Sequence, residues 1–177
     1  MVSSTRARRK GREEPAAEAG RGRAKKGGGG GEEVGPDLSV EASLFAGGDG
    51  AKLPLHGRDY ATRIEHWRVA EQHGRYAARA MLGETSPYTG IPFFWSAQYG
   101  PIHYVGHAKD YDECHIEGDL EAGSYTAFYI VADCVVAALG RGKADTTADL
   151  HAVMLNDRTP AVADLAAVDW QPARLLG

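Results

Sequence analysis

The sequence predicts an α+β fold in which a strand, a glycine turn and a long helix precede a small antiparallel sheet with C-terminal helices. Three observations predict it. Residues 65–82 carry apolar or small side chains at spacings of three and four, the period of one helix face. Residues 102–139 hold four strand-like runs, among them Tyr125-Thr126-Ala127-Phe128-Tyr129-Ile130-Val131, whose β-branched and aromatic content marks a sheet centre. Residues 146–165 return to helical spacing, so strands come first and helices follow, the order of an α+β unit.

The first 33 residues stand apart. They hold nine of the 20 Lys and Arg and five of the 24 Asp and Glu, a net +4, whereas residues 34–177 carry −8. They have almost no large apolar side chain and include the run Gly27 to Gly31. Such a segment cannot bury enough surface to offset its chain entropy, so disorder is expected. The basic run suits RNA binding, a nuclear signal or part of an organelle presequence, or simply a solvated tail. Its glutamates argue against a presequence. The acidic remainder argues against nucleic acid as a partner. No secretory leader and no apolar run of membrane-spanning length occurs. Cys114 and Cys134 are too far apart in sequence to signal zinc or a dithiol redox motif. A cytoplasmic chain is expected, with mitochondrion or plastid as the alternatives.

From Leu38 the chain reads as extended, with a short strand at Ser43–Ala46 that ends in Gly47-Gly48-Asp49. A strand, a glycine turn, a carboxylate and then a helix N-terminus can hold a polyhydroxylated, anionic cofactor. Glycines let the backbone come close, the carboxylate accepts from a sugar hydroxyl, and the helix dipole faces negative charge. A plain turn uses the same residues. Residues 51–61, with Pro54, Gly57 and Asp59, read as a loop.

The helix over 65–82 presents Trp67, Ala70, Gly74, Ala77 and Met81 as its apolar face, and Gly83 as its C-cap. Gly74 with its neighbouring alanines suggests a surface for close packing. Glu65 and His66 at the start could act as acid and base, or Glu65 could simply be favoured by the helix dipole. Turn residues over 86–92 lead to Phe93-Phe94-Trp95, either a packing cluster or a platform for a flat ring. Strands follow at 102–106, 113–118, 124–131 and 134–139, with Ala132-Asp133 as the hairpin turn between the last two. A helix at 146–155 with Asp145 as cap, and another from Pro160 capped by Thr159 with Val162 and Leu165 inward, complete the chain.

His103, His107, Cys114 and His115 invite a metal reading. The two histidines four apart on a strand are far from each other, and adjacent Cys114 and His115 point to opposite faces. No metal and no catalytic residue is assigned. No serine or cysteine triad stands out, and the Gly27–Gly31 run does not follow a strand as a dinucleotide fingerprint must.

The order Leu44-Phe45-Ala46-Gly47-Gly48-Asp49, Arg63-Ile64-Glu65-His66-Trp67, Pro92-Phe93-Phe94-Trp95-Ser96-Ala97-Gln98-Tyr99-Gly100 and then Phe128-Tyr129 resembles the C-terminal part of FAD-dependent NAD(P)H oxidoreductases. These are the ferredoxin reductases of the putidaredoxin and rhodocoxin type and the apoptosis-inducing factors. The Trp-Ser-Ala-Gln form and the run Tyr111 to Leu120 lean toward the apoptosis-inducing-factor-3-like branch.

The resemblance covers about residues 40–157 and implies site roles. Gly48 would let the backbone approach FAD and Asp49 would hydrogen-bond its ribityl chain. His66 and Trp67 would face the pyrimidine edge of the flavin, and Trp95 would sit near the flavin and the nicotinamide pocket. Electrons would pass from NAD(P)H through FAD to an iron–sulfur protein or similar acceptor. The implied organisation is a disordered tail over 1–36, a remnant of the FAD-binding domain over 37–98 and a dimerisation-like α+β domain over 99–177.

Departures from the family pattern are Gly50 after the Asp, Ala132 at the turn, and no glycine-fingerprint folds ahead of residue 40. They imply a truncated enzyme, inactive alone. The alternative is a stand-alone, non-catalytic module that uses the C-terminal sheet to form a homodimer or dock a partner.

Overall fold

The computed structural model describes residues 5–8, 30–84, 86–156 and 158–177, and the chain divides into two compact units. One comprises residues 13–90. The other comprises residues 1–12 and 91–177. Both mix helix and strand, so the α+β class holds. The disorder expected over 1–36 falls mostly on residues 9–29, outside those described. Within the remainder of that stretch, Thr5–Arg8 is a strand (β1) and Val34 is buried.

In the unit of residues 13–90, β2 (Glu32–Glu33) runs parallel to β5 (Ala51–Pro54), which pairs antiparallel with β6 (Ala61–Thr62). β3 (Ser39–Glu41) and β4 (Leu44–Phe45) form a separate antiparallel pair. The loop expected over 51–61 is therefore partly strand. Ala51, Leu53 and Leu55 alternate inward and are buried, a period-two signal that Lys52 and Pro54 obscure. Pro54, which has no amide to donate, is the last residue of its strand. Val34, Leu38, Ala51, Leu53, Ala77 and Tyr88 make the core.

The expected helix is present as α1 (Trp67–Met81). Its buried face is not the one expected. Val69, His73, Ala77 and Ala80 point inward, while Trp67 is 58% and Met81 62% exposed. The true face is turned by about a quarter of a revolution from the one the large apolar side chains suggest, at 100° per residue. The sequence reading ranks Trp67 and Met81 as core and overlooks His73. Gly74 is exposed, and a Cβ there would meet nothing within 4 Å, so it is not a close-packing contact. Gly83 does terminate the helix. Its amide donates to the Ala80 carbonyl at 3.0 Å and that of Glu84 to Arg79 at 3.2 Å, with Gly83 at φ +97, the arrangement that satisfies the last free carbonyls.

The second unit is built on a six-stranded antiparallel sheet in the order β1-β9-β10-β11-β8-β7. Its strands are β7 (Phe93–Ser96), β8 (Ile102–Gly106), β9 (Glu113–Asp119), β10 (Ser124–Val131) and β11 (Cys134–Arg141), with β1 at the far edge. The aromatic run Tyr125–Val131 is a central strand, as its composition predicts. Ala132 and Asp133 are the β10–β11 turn, both at positive φ (47 and 60), the primed geometry that matches strand twist.

β7 has no strand signal because Phe93-Phe94-Trp95 does not alternate. As an edge strand it turns Phe93 into the core and stacks Phe94 on Tyr104 of the opposite face, centroids 5.2 Å apart. Helices α2 (Ala144–Leu155) and α3 (Val162–Ala167) cover the sheet face that carries Val105, Phe128 and Ala138. α2 comes close at Gly140, where a Cβ would stand 2.9 Å from Thr147 Cγ2. Leu150, Met154 and Leu165 close this core, with Val162 packed at its margin. Neither expected cap forms. Asp145 lies inside the first turn of α2, where a carboxylate still favours the dipole, and α3 begins after Ala161 rather than at Thr159.

Candidate functional site

Gly48 and Asp49 belong to a short 3-10 turn, Gly48–Gly50, between β4 and β5. The turn rests on α1. A Cβ on Gly47 would stand 3.0 Å from that of His73, and one on Gly48 would stand 3.3 Å from that of Ala70. Gly48 has φ +72, a conformation that an L side chain resists. The Gly48 amide donates to Nδ1 of His73 at 3.2 Å in a buried bond. Between these contacts Asp49 is left on the surface, with no side-chain hydrogen bond among the described residues. A Cβ on Gly50 would meet nothing within 4 Å.

His66 is the N-cap of α1 and keeps extended backbone. Its Nδ1 accepts from the Arg68 amide at 3.2 Å, a role usually filled by Ser, Thr, Asp or Asn. Its ring lies 5.6 Å from that of Trp67, the first helical residue. Glu65, the other acid–base candidate, is ion-paired with Arg63 on the surface. Arg68 carries an Nε that is buried and makes no hydrogen bond. Within this unit, then, the glycine turn and the helix that follows it in sequence are in direct contact, and His66 and Trp67 open that same helix.

Trp95 belongs to the other unit. It stands on β7 opposite His103 and is 46% exposed. His103, Cys114 and His115 lie on different strands or faces of the sheet. His115 Nε2 donates to the Glu117 carboxylate at 2.6 Å, and its ring stacks on Trp170. Burial pushes the Cys114 thiol pKa up, which makes it a poor nucleophile.

Sequence reasoning missed His73 as part of this site, whereas Ala70 lies on the helix face that it expected to pack closely. A helical histidine seven residues after His66 gives no motif of its own, and only the packing of the turn on α1 reveals it.

No family model matches the chain. Apoptosis-inducing factor 3 of Mus musculus is 36% identical over 96 residues, which cover 53% of this chain and 16% of that protein. The ferredoxin–NAD(+) reductase component of the 3-phenylpropionate/cinnamic acid dioxygenase of Photorhabdus laumondii is 32% identical over 133 residues, 73% of this chain and 32% of its own length. The chain thus spans less than a third of the length of either relative. The fold is shared with the crystal structure of the ferredoxin reductase for the CYP199A2 system from Rhodopseudomonas palustris, with TM-score 0.73 and 22% identity over 83% of this chain and 37% of that one. No helix among the described residues is long and apolar enough to cross a membrane. Sequence and fold together make the chain a homologue, over part of their length, of the ferredoxin–NAD(+) reductases and apoptosis-inducing factor 3.

Proposed function

We propose that this chain supplies the flavin end of an FAD site in an NAD(P)H oxidoreductase that hands electrons to an iron–sulfur protein such as a ferredoxin. The observation that carries the reading is the exposed Asp49 carboxylate, held on a glycine turn that is hydrogen-bonded to α1. The residues present suit the group. A free carboxylate can accept from a ribityl hydroxyl, the open space at Gly50 admits a chain beside the backbone, and the start of α1 with the unsatisfied Arg68 Nε favours negative charge. FAD, when bound, would accept a hydride from NAD(P)H and release single electrons.

In this reading the protein orients and tunes. Gly48 gives close approach, and Asp49 fixes the sugar alcohol. The capped start of α1, with His66 and Trp67, faces the pyrimidine edge, where aligned amides stabilise developing negative charge. Trp95, in the other unit, carries a role near the flavin and the nicotinamide pocket by resemblance to the family alone. A cytoplasmic location, a ferredoxin-type partner and the division into a flavin-domain segment (37–98) and a C-terminal domain (99–177) belong to the same proposal. These 177 residues hold no glycine fingerprint for the pyrophosphate, so flavin binding by this chain alone is weak and NAD(P)H oxidation negligible.

Flavin fluorescence titration tests the assignment. Asp49→Ala should weaken FAD binding about tenfold to a hundredfold, the loss of one charge-assisted hydrogen bond, and Asp49→Asn, which keeps an acceptor but no charge, should weaken it less. FAD affinity unchanged in both variants would sink it.

A further inference from the structure

The Gly48 amide spans 25 positions of sequence to reach a single acceptor, Nδ1 of His73. That amide opens the turn in which Asp49 is the middle residue. His73 is 1% exposed, and its β-carbon is the atom against which Gly47 packs. A neutral imidazole that accepts at Nδ1 must carry its proton on Nε2. Nε2 is buried and has no hydrogen-bond partner, and the ring stands perpendicular to that of Tyr88, centroids 5.0 Å apart. A residue present for packing alone would not leave a buried donor unsatisfied. What is gained in exchange is the acceptor at Nδ1.

We propose that His73 is a positioning residue for the cofactor turn: its Nε2–H tautomer pins the Gly48 amide and thereby sets where Asp49 presents its carboxylate. The proposal rests on the reading of Asp49 as a ribityl contact, and it adds a residue that touches no cofactor atom. Burial holds the pKa of His73 below the usual histidine range, which keeps the accepting form at neutral pH.

The test compares the full chain with His73→Asn and His73→Leu. Asn places a carbonyl oxygen where Nδ1 stands and can accept the same amide proton, whereas Leu fills space and accepts nothing. Amide exchange of Gly48 is read by NMR at neutral pH, with Leu53 of β5 as the control for global opening, and FAD affinity is read by flavin fluorescence. In His73→Leu, Gly48 should exchange at least about tenfold faster while Leu53 keeps its rate, and FAD affinity should fall about tenfold. His73→Asn should restore both to within about threefold of the parent.

Unchanged Gly48 exchange in His73→Leu, or an Asn variant as impaired as the Leu variant, would overturn the proposal. If the parent chain binds no FAD, the flavin reading fails by itself, and the role in the turn is decided by Gly48 exchange alone. If His73→Leu does not fold, imidazole ¹⁵N shifts of the parent decide, and a proton on Nδ1 overturns it.

Discussion

Trp170 lies face to face on His115, ring centroids 3.7 Å apart and planes 16° from parallel. The same indole tilts over Phe128 at 4.9 Å, so it seals the β9 side of the sheet core. It gets there by an unusual route. After α3 the amides of Asp169 and Trp170 turn back to the carbonyls of Ala166 and Leu165, and both residues sit at positive φ, 54 and 55. Left-handed backbone costs a residue with a side chain about 1–2 kcal/mol. The stack and the burial of the indole offset that strain.

Trp170→Ala should therefore lose about 2–4 kcal/mol, toward the low end for a large aromatic because the side chain is only half-buried. Urea unfolding measures it. A midpoint equal to that of the parent would mean that the stack contributes nothing to the fold.

The β10–β11 turn holds Ala132 and Asp133 in a geometry that favours Asn-Gly. The double variant Ala132→Asn with Asp133→Gly should gain about 1 kcal/mol. The contacts at the turn, from the Ala132 amide to Asp112 and from the Val162 amide to the Asp133 carbonyl, are made by backbone atoms of the turn and survive the exchange. Calorimetry should show a higher melting temperature.

Gly74 offers the opposite case. It is exposed in mid-helix with empty space where a Cβ would go. Gly74→Ala should stabilise by about 1 kcal/mol through backbone entropy. A loss of stability in urea would instead reveal that this helix face is packed after all.

His73 makes stability depend on pH in one direction. Its folded pKa lies below the ordinary value of 6.5 because burial disfavours the imidazolium. The unfolded chain takes up the proton near 6.5, while the folded chain does so only at lower pH. Below about 6.5 the unfolded state binds more protons, so stability falls as pH drops until the folded pKa is reached, with a slope of at most about 1.4 kcal/mol per pH unit from this group. Above that window His73 contributes no slope. Unfolding curves at pH 7.5 and 5.5 should differ less for His73→Leu than for the parent, and equal differences would exclude the histidine as their source.

Much of the secondary structure is legible because it rests on local rules. The Ala132-Asp133 turn, the aromatic strand Tyr125–Val131 and the glycine stop at Gly83 follow from turn residues, β-branching and the need of a helix end for positive φ. β7 is not legible, since Phe93-Phe94-Trp95 is apolar on both faces and an edge strand needs only one partner. The buried face of α1 is misread for a related reason. Trp67 and Met81, at the two ends of the helix, stay in solvent, and a histidine supplies the contact that an apolar residue was expected to make.

The sequence by itself determined the α+β class, the order strand, glycine turn, helix, sheet, and the kinship carried by Gly47-Gly48-Asp49, His66-Trp67 and Trp95. These are properties of residue type and spacing, which a linear chain displays. Only the tertiary structure decided which helix face meets the turn, that Gly48 donates to His73, and that Trp170 covers His115. Each of these joins residues distant in sequence through packing and directional hydrogen bonds, and no local propensity encodes which of several buried partners a backbone amide or an indole will meet.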